Sequence, residues 1–332
     1  MDERKVKIYN KIRNEAKTRG NKVEFVSFSK LEKFLKCKRC FKYMYIDKYK
    51  IEYKDNLHAD VGTICHDIIE WSSTENWSRD KIINMFNERA RNICNKYSMR
   101  ADIPLVQSTK HFFTDSNFMN TIYERGVEVE FEVPVYHKLK YDGEPNIEYW
   151  LVGFIDMVVL NEDGSISIVD FKTSNTSGYT GKKKEQSFLQ IYSYAYLYEA
   201  LYRNRVKDVA WLFIKYCNMS FVDSKGKNRK SSKVERRNIK EEFRTKNGTD
   251  YLEITDCLDT YEYTKDNRLV YIKKLIDIFN NTKSEGMFEA SDRDKYYCDK
   301  FCPYRDGGVC DWKDKEEYVN PMMVLLQSVC NI

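Results

Sequence analysis

Two runs rich in β-branched and aromatic residues, Tyr149 to Leu160 and Ser165 to Thr173, flank the turn Asn161-Glu162-Asp163-Gly164. An Asp-Gly pair between strand-like runs is a strong short-range hairpin signal, because glycine takes the positive φ that a tight turn needs. Both strands are so apolar that they must be covered, and that limits the rest of the chain. A further strand is predicted over Val127 to Val135, where Val127, Val129, Phe131 and Val133 alternate with Glu128, Glu130 and Glu132. Helical spacing covers Ser27 to Tyr49, Gly62 to Trp71, Asp80 to Tyr97, the aromatic-rich Gln186 to Tyr202, and Tyr261 to Asn281, with a mixed helical stretch over 100 to 125. Val209 to Tyr216 is a short apolar strand. This order predicts one α/β core, a mixed central sheet flanked by helices.

The hairpin also carries the most informative side chains. Asp156 lies in Gly153-Phe154-Ile155-Asp156, and Asp170 lies in Ile168-Val169-Asp170-Phe171-Lys172. The turn sets the two strands alongside, and the two-residue period sends Asp170 and Lys172 to one face. Paired carboxylates supply the oxygen ligands that hard cations such as Mg²⁺ or Mn²⁺ require, and such an ion activates water and neutralises phosphate charge. Lys172 would then orient or deprotonate the attacking water, or stabilise the phosphorane. An acid-x-lysine on a strand is also a common salt bridge, so the triplet needs its surroundings. His66, one of only four histidines, stands one helical turn before Glu70 in Gly62-Thr63-Ile64-Cys65-His66-Asp67-Ile68-Ile69-Glu70, and Gln190 and Tyr194 are spaced likewise.

Composition narrows the setting. No run of about 18 apolar residues exists, so no membrane span is expected. The charged segment Met1 to Asn21 lacks a signal-peptide core, which makes a cytoplasmic location the expectation. Fifty-six basic against 51 acidic residues leave a net +5, which permits nucleic-acid binding without demonstrating it. Ten cysteines are many for a reducing compartment. Cys37 and Cys40 cluster near one end and Cys298, Cys302 and Cys310 near the other, a distribution that points to metal or iron–sulfur ligation rather than disulfides. Cys65, Cys94, Cys217, Cys257 and Cys330 are isolated and read as ordinary buried thiols. Lys182, Lys183 and Lys184 follow the loop after the Asp170 strand, as contacts for a DNA backbone or as a solvated loop. The run from Lys225 to Arg244 is a charged insert.

Taken in order, these motifs resemble the RecB-like branch of the PD-(D/E)XK nucleases, which includes the CRISPR-adaptation nuclease and phage exonucleases. Ser27-Phe28-Ser29-Lys30-Leu31 with Cys37-Lys38-Arg39-Cys40-Phe41 is similar to the family's opening helix, and Gly62 to Glu70 to its histidine motif. Gly153 to Asp156, Asp170-Phe171-Lys172, and Gln190 with Tyr194 resemble its later motifs, and Glu130, beside Glu128 and Glu132, the acid of its first core strand. The likeness implies a restriction-endonuclease-like fold with a helical N-terminal region and termini stapled by a cysteine cluster. It implies metal ligation by His66, Asp156 and Asp170, and a catalytic set of Asp156, Asp170, Lys172, Gln190 and Tyr194. It also implies a 4Fe-4S cluster on Cys37, Cys298, Cys302 and Cys310, with Zn²⁺ as the alternative and Cys40 as the reserve ligand. The three- and seven-residue spacings in the cysteine trio are longer than the commonest family pattern.

The organisation expected is a charged extension (1–24), a helical region (25–125), the nuclease core (126–222), a charged insert (223–250) and a C-terminal helix with the cysteine cluster (251–332). The function implied is a Mg²⁺- or Mn²⁺-dependent DNA exonuclease. No GxxxxGK[ST] motif is present, so a helicase, recombinase or integrase would be a separate partner. The alternatives are a non-catalytic DNA-binding subunit and a CRISPR spacer-acquisition nuclease.

Overall fold

The computed structural model describes residues 3–50, 56–100, 103–115, 128–174, 181–214, 218–222, 228–231, 253–255, 258–284, 302–306 and 310. In chain order the first elements are α1 (Glu3–Thr18), β1 (Lys22–Val26), α2 (Phe28–Lys36), α3 (Lys38–Phe41) and one π-helical turn (Lys42–Ile46). Then come α4 (Leu57–Thr74), α5 (Arg79–Lys96), α6 (Pro104–Asp115), β2 (Glu128–Leu139), β3 (Ile147–Leu160), β4 (Ile166–Lys172), α7 (Gly181–Tyr202) and β5 (Val206–Phe213). The last are β6 (Asn218–Val222), β7 (Asn228–Ser231), β8 (Glu253–Thr255), β9 (Leu258–Glu262), α8 (Lys265–Asn281) and α9 (Pro303–Asp306). None of the described helices is long and apolar enough to cross a membrane.

The chain divides into two units, residues 1–28 with 56–280 and residues 29–55 with 281–332. The first contains a six-stranded mixed sheet in the order β1-β3-β4-β5-β9, with β2 on the other edge of β3. The β3–β4 hairpin is antiparallel, and its turn closes through Asn161 N–H to Ser165 O at 2.8 Å and Gly164 N–H to Asn161 O at 2.9 Å. β4 and β5 run parallel, so their connection needs a crossover, and α7 supplies it. Val61, Ile64, Cys65 and Ile68 of α4 share a core with Phe86, Phe112, Met157, Val169, Ala210 and Leu212. Trp211 alternates with Ala210 and Leu212, so it faces the other side of the sheet, where Phe188 of α7 meets it at 4.7 Å between ring centroids. Helices therefore cover both faces, the mixed α/β architecture that the resemblance implies. A second, three-stranded antiparallel sheet has the order β7-β6-β8, and β7 lies within the charged insert.

Three segments differ from their sequence reading. The N-terminal residues, read as an extension, form α1 and the edge strand β1, which pairs parallel to β3 from Lys22↔Ile147 to Val26↔Leu151. The helix expected from Tyr261 begins at Lys265. Residues 258–262 instead form β9 along the edge of β5, and Thr264 caps the helix by accepting at Oγ1 from Asn267 N–H at 3.2 Å. The helix expected from Ser27 to Tyr49 is broken at Cys37, whose backbone is extended and whose Sγ accepts from Cys40 N–H at 3.4 Å.

Candidate active site

Asp156 sits at a fork in the sheet. β2 occupies one edge of β3 from Tyr149 to Leu160, so β1 and β4 must share the other. β1 leaves it at Leu151 and β4 joins at Met157. The ladder between β3 and β4 thus stops one residue after Asp156, and the Asp156 carboxylate takes over the bonding: Oδ2 accepts from Phe171 N–H at 2.7 Å. Its other oxygen lies 3.5 Å from His66 Nδ1. His66 is delivered by α4, which Asn56 caps by accepting from His58 and Ala59 N–H. A Cβ on Gly62 would lie 3.3 Å from Thr173 Oγ1, so this helix passes close to the end of β4. The His66 ring stands edge-on to Phe171 at 5.2 Å.

Glu132 completes the group. It drops out of the β2 ladder while its neighbours pair as Phe131↔Met157 and Val133↔Ile155, so it stands opposite Asp156. Its φ is 50°, a left-handed backbone that costs a glutamate about 1–3 kcal/mol and points to a functional constraint. Ligand atoms of His66, Glu132 and Asp156 all lie within 4.8 Å of one another. The resemblance matched Glu130, beside Glu128 and Glu132, to the acid of this strand; Glu130 is exposed and it is Glu132 that lies with His66 and Asp156. The kink that selects Glu132 has no sequence signature.

Asp170 follows the last β3-paired residue of β4 and is buried. Its Oδ2 lies 2.5 Å from Lys172 Nζ, and that ammonium also donates to Gln190 Oε1 at 3.3 Å. Gln190 and Tyr194 come from α7, and Tyr194 packs on the bare backbone of Gly153, where a Cβ would meet Tyr194 Cε1 at 2.4 Å. Burial alone would lower the His66 pKa, but the Asp156 charge and hydrogen bond, then Asp170 and Glu132, outweigh it and the net shift is upward. Asp156 is pushed up by burial and pulled down more by His66, the Phe171 amide and Lys172, leaving it below the ordinary aspartate value. Asp170 is held above that value by burial, which with Asp156 outweighs Lys172. Burial, with smaller effects of Asp170 and Asp156, also raises Tyr194 well above an ordinary phenol, so it stays a hydrogen-bond donor at neutral pH.

Other candidate residues lie elsewhere. Glu70 accepts from Arg4 Nη2 at 2.8 Å. Lys183 is exposed in the first turn of α7, while Lys184 lies over the rings of Phe188 and Tyr261. The side chain of Lys182 lies outside the described residues. In the second unit, Cys37, Cys40, Cys302 and Tyr304 form one buried cluster, with Tyr43, Met44 and Cys310 packed on it. None of these four cysteines is in a disulfide. Cys310 N–H donates to Tyr304 O at 2.8 Å, which holds Cys310 beside α9. Cys298 lies outside the described residues, as do Cys217, Cys257 and Cys330, while Cys65 and Cys94 are buried in the main core.

A family model described as the PD-(D/E)XK nuclease superfamily matches residues 26–311. No curated protein matches the chain. A solved structure titled "Crystal structure of SSO0001" is 13% identical over 85% of this chain and 94% of that one, with a TM-score of 0.34.

Proposed function

The chain belongs to the PD-(D/E)XK nuclease superfamily, and we propose that it is a divalent-metal-dependent deoxyribonuclease of RecB-like type that hydrolyses phosphodiester bonds from DNA ends. The observation that carries this reading is the meeting of His66, Glu132 and Asp156 within 4.8 Å, beside the buried Asp170 and its partner Lys172. Two carboxylates and an imidazole are the donor set for a Mg²⁺ or Mn²⁺ ion, and a third carboxylate, Asp170, adjoins them. Held by His66, Glu132, Asp156 and Asp170, such an ion would supply charge neutralisation at the phosphate and a more acidic bound water.

The protein's own groups have separable tasks. His66, whose Nδ1 faces Asp156 Oδ1, fixes one side of the ligand set, and the Phe171 amide fixes the Asp156 carboxylate. Lys172 presents a partly buried ammonium to the charge that would develop on the phosphoryl oxygens. Gln190 limits where that ammonium can point, and the protonated Tyr194 phenol supports Gln190. The exposed Lys183 is placed to meet the DNA backbone by charge. Lys184 is already engaged with two aromatic rings and contributes less.

For the second unit the proposal is a 4Fe-4S cluster that ties residues 29–55 to the C-terminal segment, with Zn²⁺ as the competing occupant. What supports it is the burial of Cys37, Cys40 and Cys302 together, with Cys310 packed beside them and none of the four in a disulfide. Thiolate sulfur suits either occupant, and absorbance near 400 nm of the protein isolated without oxygen separates them. The nuclease is tested by a time course on end-labelled single- and double-stranded DNA and on closed circles, with Mn²⁺ or chelator. Degradation from ends that stops with chelator is expected. An Asp170→Ala protein that keeps full activity would remove the mechanism.

A further inference from the structure

The first turn of α1 reaches the site residue whose backbone is out of the ladder. Arg4 Nη1 donates to Phe131 O at 3.4 Å, the carbonyl of the peptide that leads into Glu132. Its Nη2 donates to Glu70 Oε1 at 2.8 Å, and so spans to α4. Lys5 sets its ammonium 3.1 Å from Glu132 Oε2 and 4.8 Å from the centre of the Phe154 ring on β3. Two consecutive residues therefore bracket the kink, one on its backbone and one on its carboxylate. Both lie before residue 26, where the family match begins.

We propose that Arg4 and Lys5 are positioning residues for the metal site: Lys5 holds the Glu132 carboxylate in its ligating position, and Arg4 holds the strained peptide behind it. The proposal rests on the metal-dependent reading above. An ordinary surface ion pair contributes little, because water screens it and two long side chains must be ordered. Here the acid is only 19% exposed, and it adjoins a second carboxylate. Without a cation, the repulsion between Glu132 and Asp156 would favour swinging Glu132 away from the site. Lys5 engages Oε2, and a monodentate ligand needs only the other oxygen. A ligating carboxylate held from outside in this way binds its ion more tightly than a free one. Repulsion between the ammonium and a bound cation acts in the opposite direction, so the sign of the change in affinity decides.

The test is calorimetric titration of Mn²⁺ into the full chain after dialysis against a chelator, with thermal unfolding recorded in parallel without metal. Lys5→Met is expected to bind Mn²⁺ about tenfold more weakly than the wild type, the lower end of what loss of such a supporting partner costs. Lys5→Arg, which keeps the charge and the reach, restores most of the affinity. Arg4→Gln weakens binding with Lys5 still present. Equal or tighter Mn²⁺ binding by Lys5→Met overturns the proposal and leaves the nuclease reading standing. A lower metal-free melting temperature for Lys5→Met without loss of affinity assigns the pair to fold stability and also overturns it. A wild-type chain that binds no Mn²⁺, or an Asp156→Ala chain that binds it equally well, overturns both readings.

Discussion

Strand β3 carries two carboxylates that are partnered in opposite ways. Glu148, near its start and 1% exposed, receives Arg19 Nε and Nη2 at 2.8 Å each, Asn21 Nδ2 at 2.9 Å, Trp150 Nε1 at 3.1 Å and Lys138 Nζ at 3.2 Å. Asp156, near its end, receives one backbone N–H and a longer contact from His66, with Lys172 near, and otherwise faces two further acids. Arg19 and Asn21 belong to the link between α1 and β1, so Glu148 fastens that link to the sheet. Donors fill one acid and leave the other short of them. A saturated buried carboxylate stabilises the fold, and an undersaturated group of them has the vacant oxygens that the proposed metal site requires.

The comparison breaks most directly at Asp156. Asp156→Ala should reduce the rate of Mn²⁺-dependent DNA cleavage about 10³-fold or more, since several kcal/mol of transition-state stabilisation depend on the ligand set. Its metal-free stability should fall only modestly, because relief of repulsion among the acids offsets part of what the Phe171 amide, His66 and Lys172 contribute around Asp156. Metal at about 100 times its dissociation constant should raise wild-type stability by about 2.7 kcal/mol and leave Asp156→Ala unmoved. Thermal unfolding with and without Mn²⁺ reads both. A variant that melts far below the wild type in chelator would place Asp156 with Glu148, among the structural acids.

Glu148→Gln should do the reverse. Loss of the charge leaves five donors around a neutral amide, and stability should fall by about 2–3 kcal/mol, with activity per folded molecule retained. The partners Arg19 and Lys138 are half exposed and can rehydrate, which keeps the loss below that of a fully buried pair. The Arg19 hydrogen bonds, with those of Asn21, Trp150 and Lys138, outweigh burial and hold the Glu148 carboxyl well below the usual range. A carboxylate depressed in the folded state contributes stability that is complete above its unfolded pKa of about 4.3 and is lost as pH falls through the folded value. Denaturant midpoints of wild type and Glu148→Gln should therefore differ fully at pH 6 and converge in acid. Parallel curves down to the lowest pH would show that Glu148 is not the titrating group.

The parts of this arrangement that are local were legible in the sequence. The Asp163-Gly164 turn and the β-branched runs define the hairpin, and with it the proximity of Asp156 and Asp170. Helical spacing put Gln190 and Tyr194 on one face of α7. The parts that depend on distant pairing were not. Glu132 is selected over Glu128 and Glu130 by a positive φ inside a strand, and alternation assigns all three alike. α1 and β1 read as a charged tail because the strands they meet, β2 and β3, lie more than a hundred residues away. β9 shares its aromatic content with the helix that follows, and only the free edge of β5 makes it a strand. The break at Cys37 hides in a continuous apolar pattern, although it is what sets Cys37 against the Cys40 amide.

The smallest expected effect separates the proposed metal ligands from the proposed Tyr194–Gln190–Lys172 relay. Gly153 has ordinary strand φ, so it is needed for room: an added Cβ would lie 2.4 Å from Tyr194 Cε1 and 2.9 Å from Cζ. Gly153→Ala must displace that ring, and overpacking of this kind costs about 1–3 kcal/mol of stability. Displacement of Tyr194 frees Gln190 and through it the Lys172 ammonium, while His66, Glu132 and Asp156 keep their places. The turnover rate should fall about tenfold, in line with a misplacement of an ångström or less, while Mn²⁺ affinity stays that of the wild type. In a Tyr194→Ala background the ring is gone, so adding Gly153→Ala should lower the rate no further. Additive losses in that double variant would mean that Gly153 acts on the site by a route other than Tyr194, and the relay would have to be abandoned.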